Sequence, residues 1–331
     1  MNLMTILLAG WLATAPFGHS FLADTHPDFV RLDIAALSND KIWDYGSTGE
    51  KCAKHVFGDF GLDLPVWCGD FLGGKASVTL PMSACLWMDI LEPTTSAVVN
   101  TDYRIAAPVL TIFRKCASGP FRNFCLTLAP FKHESTHIGD ELVLQRHATE
   151  YAIDRVNVSY NYAEIKFTLN DPERSTDKRH SLRAGLMVNL QPGRGWYFVE
   201  EREGDVRRVP SARIETDEAG YLKARGPRGL WEGYLQYQFQ TGRLGASEIQ
   251  GVFSCELRSR PQYGYDLYAL ASDPLQTASS DSRALTLNVF LGVQLFGRAA
   301  VGLRAYRGNC PYGMFRSVAN YSQAGLCIIW K

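Results

Sequence analysis

"RALTLNVFLGVQLF", Arg283 to Phe296, decides how the rest of this chain is read. Leu285, Leu287, Val289, Leu291, Val293 and Leu295 take every second position, with Ala284, Thr286, Asn288, Phe290, Gly292 and Gln294 between them. Successive side chains of an extended chain point to opposite sides, so one face of this stretch is apolar throughout and the other is largely neutral and polar. "WEGYLQYQFQ" (231–240) repeats the pattern, with Trp231, Leu235, Tyr237 and Phe239 opposite Glu232, Gln236, Gln238 and Gln240. "RVNVSYNY" (155–162) sets Val156, Val158, Tyr160 and Tyr162 against Asn157, Ser159 and Asn161. A soluble sandwich would cover its polar face with charge. A neutral polar face opposite an apolar one, in segments of about ten residues, predicts a membrane barrel with its apolar side to lipid.

Similar segments fall near residues 50–58, 75–88, 96–114, 121–133, 155–168, 182–190, 194–200, 229–241, 249–259, 283–295, 298–307 and 319–330. The expected fold is all-β: an antiparallel transmembrane, outer-membrane β-barrel of roughly 10–12 strands with long polar loops. "NDPERSTDKRHS" (170–181) and the charged stretch 200–229 supply such loops, and Trp330 is the aromatic residue expected near the end of a last strand.

The composition agrees. With 331 residues, 46% of them hydrophobic, the chain is not disordered, and 34 basic against 34 acidic residues without segregation give no footprint for nucleic acid. Its 17 Phe, 15 Tyr and 29 Gly favour strands and turns over a helical bundle. "MNLMTILLAGWLATAPFGHS" reads as a signal peptide over residues 1–20, leaving 21–331 as one barrel domain exported to the outer membrane, with its lipids as partners. No later apolar run reaches the length of about 20 residues that a membrane helix needs, so a closed barrel is the remaining way to cross. The eight Cys show no C-x-x-C pair; they suit either disulfides formed after export or small apolar fillers. No cofactor is expected.

"PFKHESTHIGDEL" (130–142) carries the candidate chemistry. On a helix, His133-Glu134-Ser135-Thr136-His137 would be H-E-x-x-H, with His133 and His137 as zinc ligands and Glu134 as general base. The upstream alternation of Phe124, Leu126 and Leu128 against Asn123, Cys125 and Thr127 argues for a strand instead. Continued alternation places His133, Ser135 and His137 in the lumen with Asn123 and Thr127, unless a bulge resets it. As a strand, the His133/Ser135 pair resembles the H-x-S core of outer-membrane lipid hydrolases, whose sites face lipid. There His takes the Ser proton and a third polar group, here Asp140, Glu141 or Asp102, orients the His. "NTDYRIAAP" (100–108) gives a luminal Asp102/Arg104 pair, which with His137 makes a candidate binding cluster, and "RGNCPYG" (307–313) reads as a tight turn. A structural or ligand-binding role ranks first, lipid or acyl-ester hydrolysis by His133/Ser135 second, and zinc chemistry third.

Five stretches, "FLADTHPDF" (21–29), "HVFGDFGL" (55–62), "NTDYRIAAP" (100–108), "HESTHIGDEL" (133–142) and "LRAYRGNCPYGMF" (303–315), resemble in order a bacterial family of exported proteins, the domain of unknown function 1207. The resemblance implies an outer-membrane barrel centred on His133, Ser135, His137, Gly139, Asp140 and Glu141, with no activity attached to it.

Overall fold

The alternation of residues 283–296 recurs strand after strand until the sheet closes on itself. The computed structural model describes residues 17–38, 53–88, 98–116, 121–138, 159–172, 179–190, 213–216, 222–225, 231–244, 248–261, 283–312 and 321–331. Its strands are β1 (Val30–Ser38), β2 (Ala53–Phe71), β3 (Gly74–Met88), β4 (Val98–Ala106), β5 (Val109–Lys115), β6 (Asn123–Ile138), β7 (Ser159–Leu169) and β8 (Arg179–Asn189). They continue as β9 (Arg213–Thr216), β10 (Leu222–Arg225), β11 (Trp231–Gln240), β12 (Ile249–Pro261), β13 (Arg283–Leu295), β14 (Ala299–Gly308) and β15 (Tyr321–Trp330). β9 and β10 form a separate hairpin, and all other neighbours pair antiparallel, with β15 closing on β1. β4 and β5 lie in tandem between β3 and β6, so the wall is a closed 12-stranded antiparallel barrel.

Several details differ from the sequence reading. The single strand expected at 96–114 is the β4–β5 tandem, interrupted at Ala107–Pro108, and β1 is an additional strand. The strand expected at 194–200 lies outside the described residues. The lumen is charged where β11 and β13 promised a neutral one: Arg31, Asp33, Asp59, Glu134, Arg183, Glu256 and Arg304 are all buried. These charges are paired. Arg304 Nη1 lies 2.5 Å from Asp33 Oδ2, Arg31 Nη2 2.6 Å from Asp59 Oδ2, and Arg258 Nε 3.0 Å from Glu256 Oε1. Pairing is what lets ions stay inside a low-dielectric wall.

The outer face is greasy as expected: Leu285 and Leu291 are 66% and 60% exposed. Connections alternate between the two ends of the barrel. Leu72 and Gly73, both at positive φ, close the β2–β3 hairpin with a two-residue turn. The strand ends that lead into 39–52, 89–97, 139–158 and 262–282 are at the opposite end, and those residues themselves lie outside the described ones.

Residues 17–29 enter the lumen as a strap. Residues 1–16 of the expected leader lie outside the described residues, while 17–20 belong to the strap. Leu22 N donates to Gln238 Oε1 at 3.0 Å, Ala23 N to Ser254 Oγ at 3.1 Å, and Asn288 Nδ2 to Ala23 O at 2.6 Å. Leu22 and Ala23 also pack on Phe290 and Ile329 in the buried apolar cluster. At one end Gly18 N and His19 Nδ1 meet Asp171 Oδ2 at 3.0 and 2.7 Å, and Arg183 Nη2 donates to His19 O at 2.7 Å. Among the described residues Cys68, Cys85, Cys116, Cys255 and Cys327 are free thiols.

Two predictions follow from this architecture. An exposed leucine on a soluble protein tolerates arginine within about 0.5 kcal/mol, but on a lipid face near mid-membrane the same change costs about 2–4 kcal/mol. Leu291→Arg should therefore destabilise the barrel in lipid bilayers by that larger amount, measured by denaturant unfolding. A neutral result would mean that this face does not meet hydrocarbon. Burial raises the pKa of Asp171, but His19, Arg183 and the Gly18 amide outweigh it and hold the carboxyl below its ordinary 3.8. Because the folded value is the lower one, the carboxylate stabilises the native state above the ordinary pKa and that contribution is lost as pH falls through the folded one. Titrated from about pH 6 to pH 2, Asp171→Asn should lose less stability than the parent chain; equal losses would contradict the strap anchor.

Candidate active site on the outer face of the barrel

Asn123, Cys125, Thr127 and Ala129 of β6 are buried in the lumen. Unbroken alternation would carry His133 and Ser135 there too. It is broken. Ala129 pairs with Glu164 of β7, and the next pair is Lys132 with Tyr162, so β6 spends three steps where β7 spends two. The neighbouring tandem has the same excess on its other side: β3 takes three steps from Thr79 to Met82 while its partners run four, from Val109 to Ile105. Between themselves the tandem and β6 keep one register, Ala106↔Lys132 and Leu110↔Leu128, which sets Pro108 opposite Pro130 at the insertion. Neither proline can donate a ladder hydrogen bond, so the irregularity settles where the ladder is already interrupted. Ala107 N still reaches Phe131 O at 3.0 Å.

A one-residue insertion exchanges the two faces. Beyond the bulge Glu134 and Thr136 face the lumen, at 0% and 1% exposure, together with Asp102 and Arg104 of β4. His133 and Ser135 stand on the outer face, beside exposed Tyr103 and Ile105. The expectation that this pair lies in the lumen is thereby corrected, and the bulge is the reason.

On the outer face His133 has a partner. It is paired in register with Asn161 of β7, and its Nδ1 lies 2.7 Å from Asn161 Oδ1. A carboxamide oxygen only accepts, so Nδ1 carries the proton and Nε2 is left as the basic nitrogen. Ser135 is two residues further along the same face, roughly 7 Å in backbone rise. The site lies toward the long-connection end, since β6 ends at Ile138 and β7 begins at Ser159.

Of the expected third groups only Asp102 lies among the described residues, and it does not serve. Asp102 is on the luminal side of the wall, accepting from Thr136 Oγ1 at 2.6 Å and Asn100 Nδ2 at 3.0 Å, with Arg104 Nη2 3.7 Å away. Asp140 and Glu141 lie outside the described residues, as does the side chain of His137, whose backbone belongs to β6. Asn161 was read as luminal because Tyr160 and Tyr162 looked like the lipid face of β7. Tyr162 is instead buried. The signal lay a few residues downstream: Glu164, Lys166 and Thr168 share parity with Tyr162, and charges assign that face to the lumen. The zinc reading also fails, because in an extended β6 His133 and Glu134 point to opposite faces of the wall. Among the described residues no group of three or more His, Cys, Asp or Glu is placed to hold a metal.

Among solved structures the chain is similar to outer membrane phospholipase A from Escherichia coli, at 10% identity and a TM-score of 0.50 over 92% of this chain and 90% of that one. An active-site mutant of that enzyme gives 11% identity and a TM-score of 0.49 over 100% and 99%. The NanC porin gives 8% and 0.38 over 91% and 99%. At these identities the likeness is one of fold, that of outer-membrane barrels. No family model and no curated protein matches the chain.

Zinc removal should leave the barrel intact, since β6 provides no helical metal site. Treatment with a chelator is expected to preserve the faster mobility that folded barrels show in unheated gels. One zinc per chain, lost in His137→Ala, would contradict this.

Proposed function

We propose that this protein is an outer-membrane lipid or acyl-ester hydrolase in which Ser135 is the nucleophile, His133 its base and Asn161 the group that orients the base. The observation that carries the reading is the 2.7 Å contact between His133 Nδ1 and Asn161 Oδ1 on the outer face of the wall, one alternation from Ser135. A histidine, a serine and an asparagine are expensive on a surface that otherwise presents Tyr103, Ile105, Phe131, Val188 and Leu190 to lipid. Their cost is intelligible if the substrate is itself in the membrane. The phospholipase that resembles this chain in fold adds context, and the reading stands on this chain's own residues.

In this mechanism His133 Nε2 takes the Ser135 proton as Oγ attacks the ester carbonyl. The tetrahedral intermediate collapses, the ester C–O bond breaks, and the same proton passes to the leaving alkoxide. Water, deprotonated by His133, then releases the acyl group and restores Ser135. Asn161 holds the imidazole in the productive tautomer without adding a charge. An aspartate there would stabilise imidazolium better, but an ion facing hydrocarbon is costlier than an amide. The paired charges and the strap give the lumen a structural role beside this chemistry. The reading includes residence in the outer membrane after export, with membrane lipid as the substrate class, and membership of the family that the five quoted stretches resemble.

Reconstituted in detergent–phospholipid micelles, the parent chain should release fatty acid. The assay is run with and without calcium, a cation that oxygen ligands bind and that can neutralise charge developing on an ester oxygen. Ser135→Ala should lower turnover by about a thousandfold or more, and Asn161→Ala by on the order of a hundredfold through misplacement of the base. Both variants should keep the mobility of the folded barrel. Equal turnover in parent and Ser135→Ala would remove the nucleophile assignment, and a parent inactive on phospholipids and simple acyl esters alike would leave the structural role alone.

A further inference from the structure

Behind the His133–Asn161 contact, on the luminal side of the same two strands, Lys132 Nζ lies 2.7 Å from Glu164 Oε2. Lys132 immediately precedes His133, and Glu164 follows Asn161 by three residues. The two pairs thus join β6 to β7 back to back through the wall. A join is needed here. Pro130 and Phe131 have no partner on β7, so the ladder is open just before the histidine, and Lys132 is the first residue to re-engage it. A bulge locally frees the strand that carries it, and His133 is one residue from that freedom.

The lysine–glutamate pair is itself fixed from further round the barrel. Tyr234 of β11 donates its hydroxyl to Glu164 Oε1 at 2.6 Å. To reach it, the tyrosine lies across β8 at Gly185, where a Cβ would stand 2.1 Å from its ring. One hydrogen-bonded chain therefore runs from β11 over β8 and β7 to the residue beside the base. Most luminal ion pairs, such as Arg304–Asp33, simply satisfy one another inside the wall. The Lys132–Glu164 pair differs in its place at the exit of the bulge.

We infer that Lys132 and Glu164, held by Tyr234, are positioning residues that set the separation of His133 from Asn161 across the interrupted ladder. The inference rests on the hydrolase reading above. It makes the luminal network a determinant of the activity displayed on the outer face, acting through the wall.

The test measures the rate at which a fluorophosphonate probe labels Ser135 in folded, detergent-solubilised protein, a reaction in which an Oγ–P bond forms and fluoride leaves. Lys132→Met should label about tenfold more slowly than the parent or slower still, as expected for a displaced base, while Asp33→Asn, a more deeply buried change on the far wall, should label within about twofold. Gel mobility confirms that each barrel is folded. Should Lys132→Met not fold, Tyr234→Phe, which removes only the hydroxyl bond to Glu164, decides by the same criterion. A parental rate in the deciding variant overturns the inference, and so does an equal slowing in Asp33→Asn, which would be a general effect of luminal packing. A parent chain that takes no label fails differently: it removes the hydrolase reading, and this inference with it.

Discussion

A strand in a membrane barrel presents alternate residues to two solvents, and a one-residue insertion exchanges them for everything that follows. Around His133 the exchange happens twice, side by side. The β4–β5 tandem and β6 each carry one residue more than their outer neighbours β3 and β7, while their mutual register is unchanged. A single insertion would have set luminal residues of β6 against lipid-facing residues of its partner. The matched pair turns His133, Ser135, Tyr103 and Ile105 outward together and Glu134, Thr136, Asp102 and Arg104 inward together. Pro108 facing Pro130 localises the break, because neither position had a ladder donor to lose.

The lumen makes that exchange tolerable. Residues turned inward by the bulge are charged or polar, and each finds a partner there: Glu134 with Arg104 at 3.3 Å, Thr136 with Asp102, Lys132 with Glu164. The strap follows the same logic on the far wall, where its backbone amides meet Gln238 and Ser254 in place of water. Several of the stretches quoted from the sequence meet inside the barrel. "FLADTHPDF" is the strap, "HVFGDFGL" brings Phe57 against Tyr312 at a 4.9 Å ring separation, and "LRAYRGNCPYGMF" supplies that tyrosine and Arg304. They read as a packing set for the lumen.

How much was legible varied with the length of regular alternation. β11, β13 and β14 could be placed within a few residues because their patterns run without a break. β1 escaped notice because its apolar face, Leu32, Ile34 and Ala36, is short and its polar face carries Arg31 and Asp33, which look like loop residues until their partners on β2 and β14 are known. Asn161 escaped because Tyr160 and Tyr162 read as a lipid face in the sequence, whereas the ring of Tyr162 fills the lumen.

Local sequence determined that the chain is extended, that its strands are two-faced and that the wall must close, because period-two alternation and unsatisfied backbone groups in lipid admit no other arrangement. It also determined that His133 and Ser135 share a face, since i and i+2 on a strand always do. Which face, and with which third residue, only the tertiary structure decided. Parity is counted from the last irregularity, and a bulge is a relation between two strands that neither carries alone; His133 meets Asn161 because β6 has one residue more than β7.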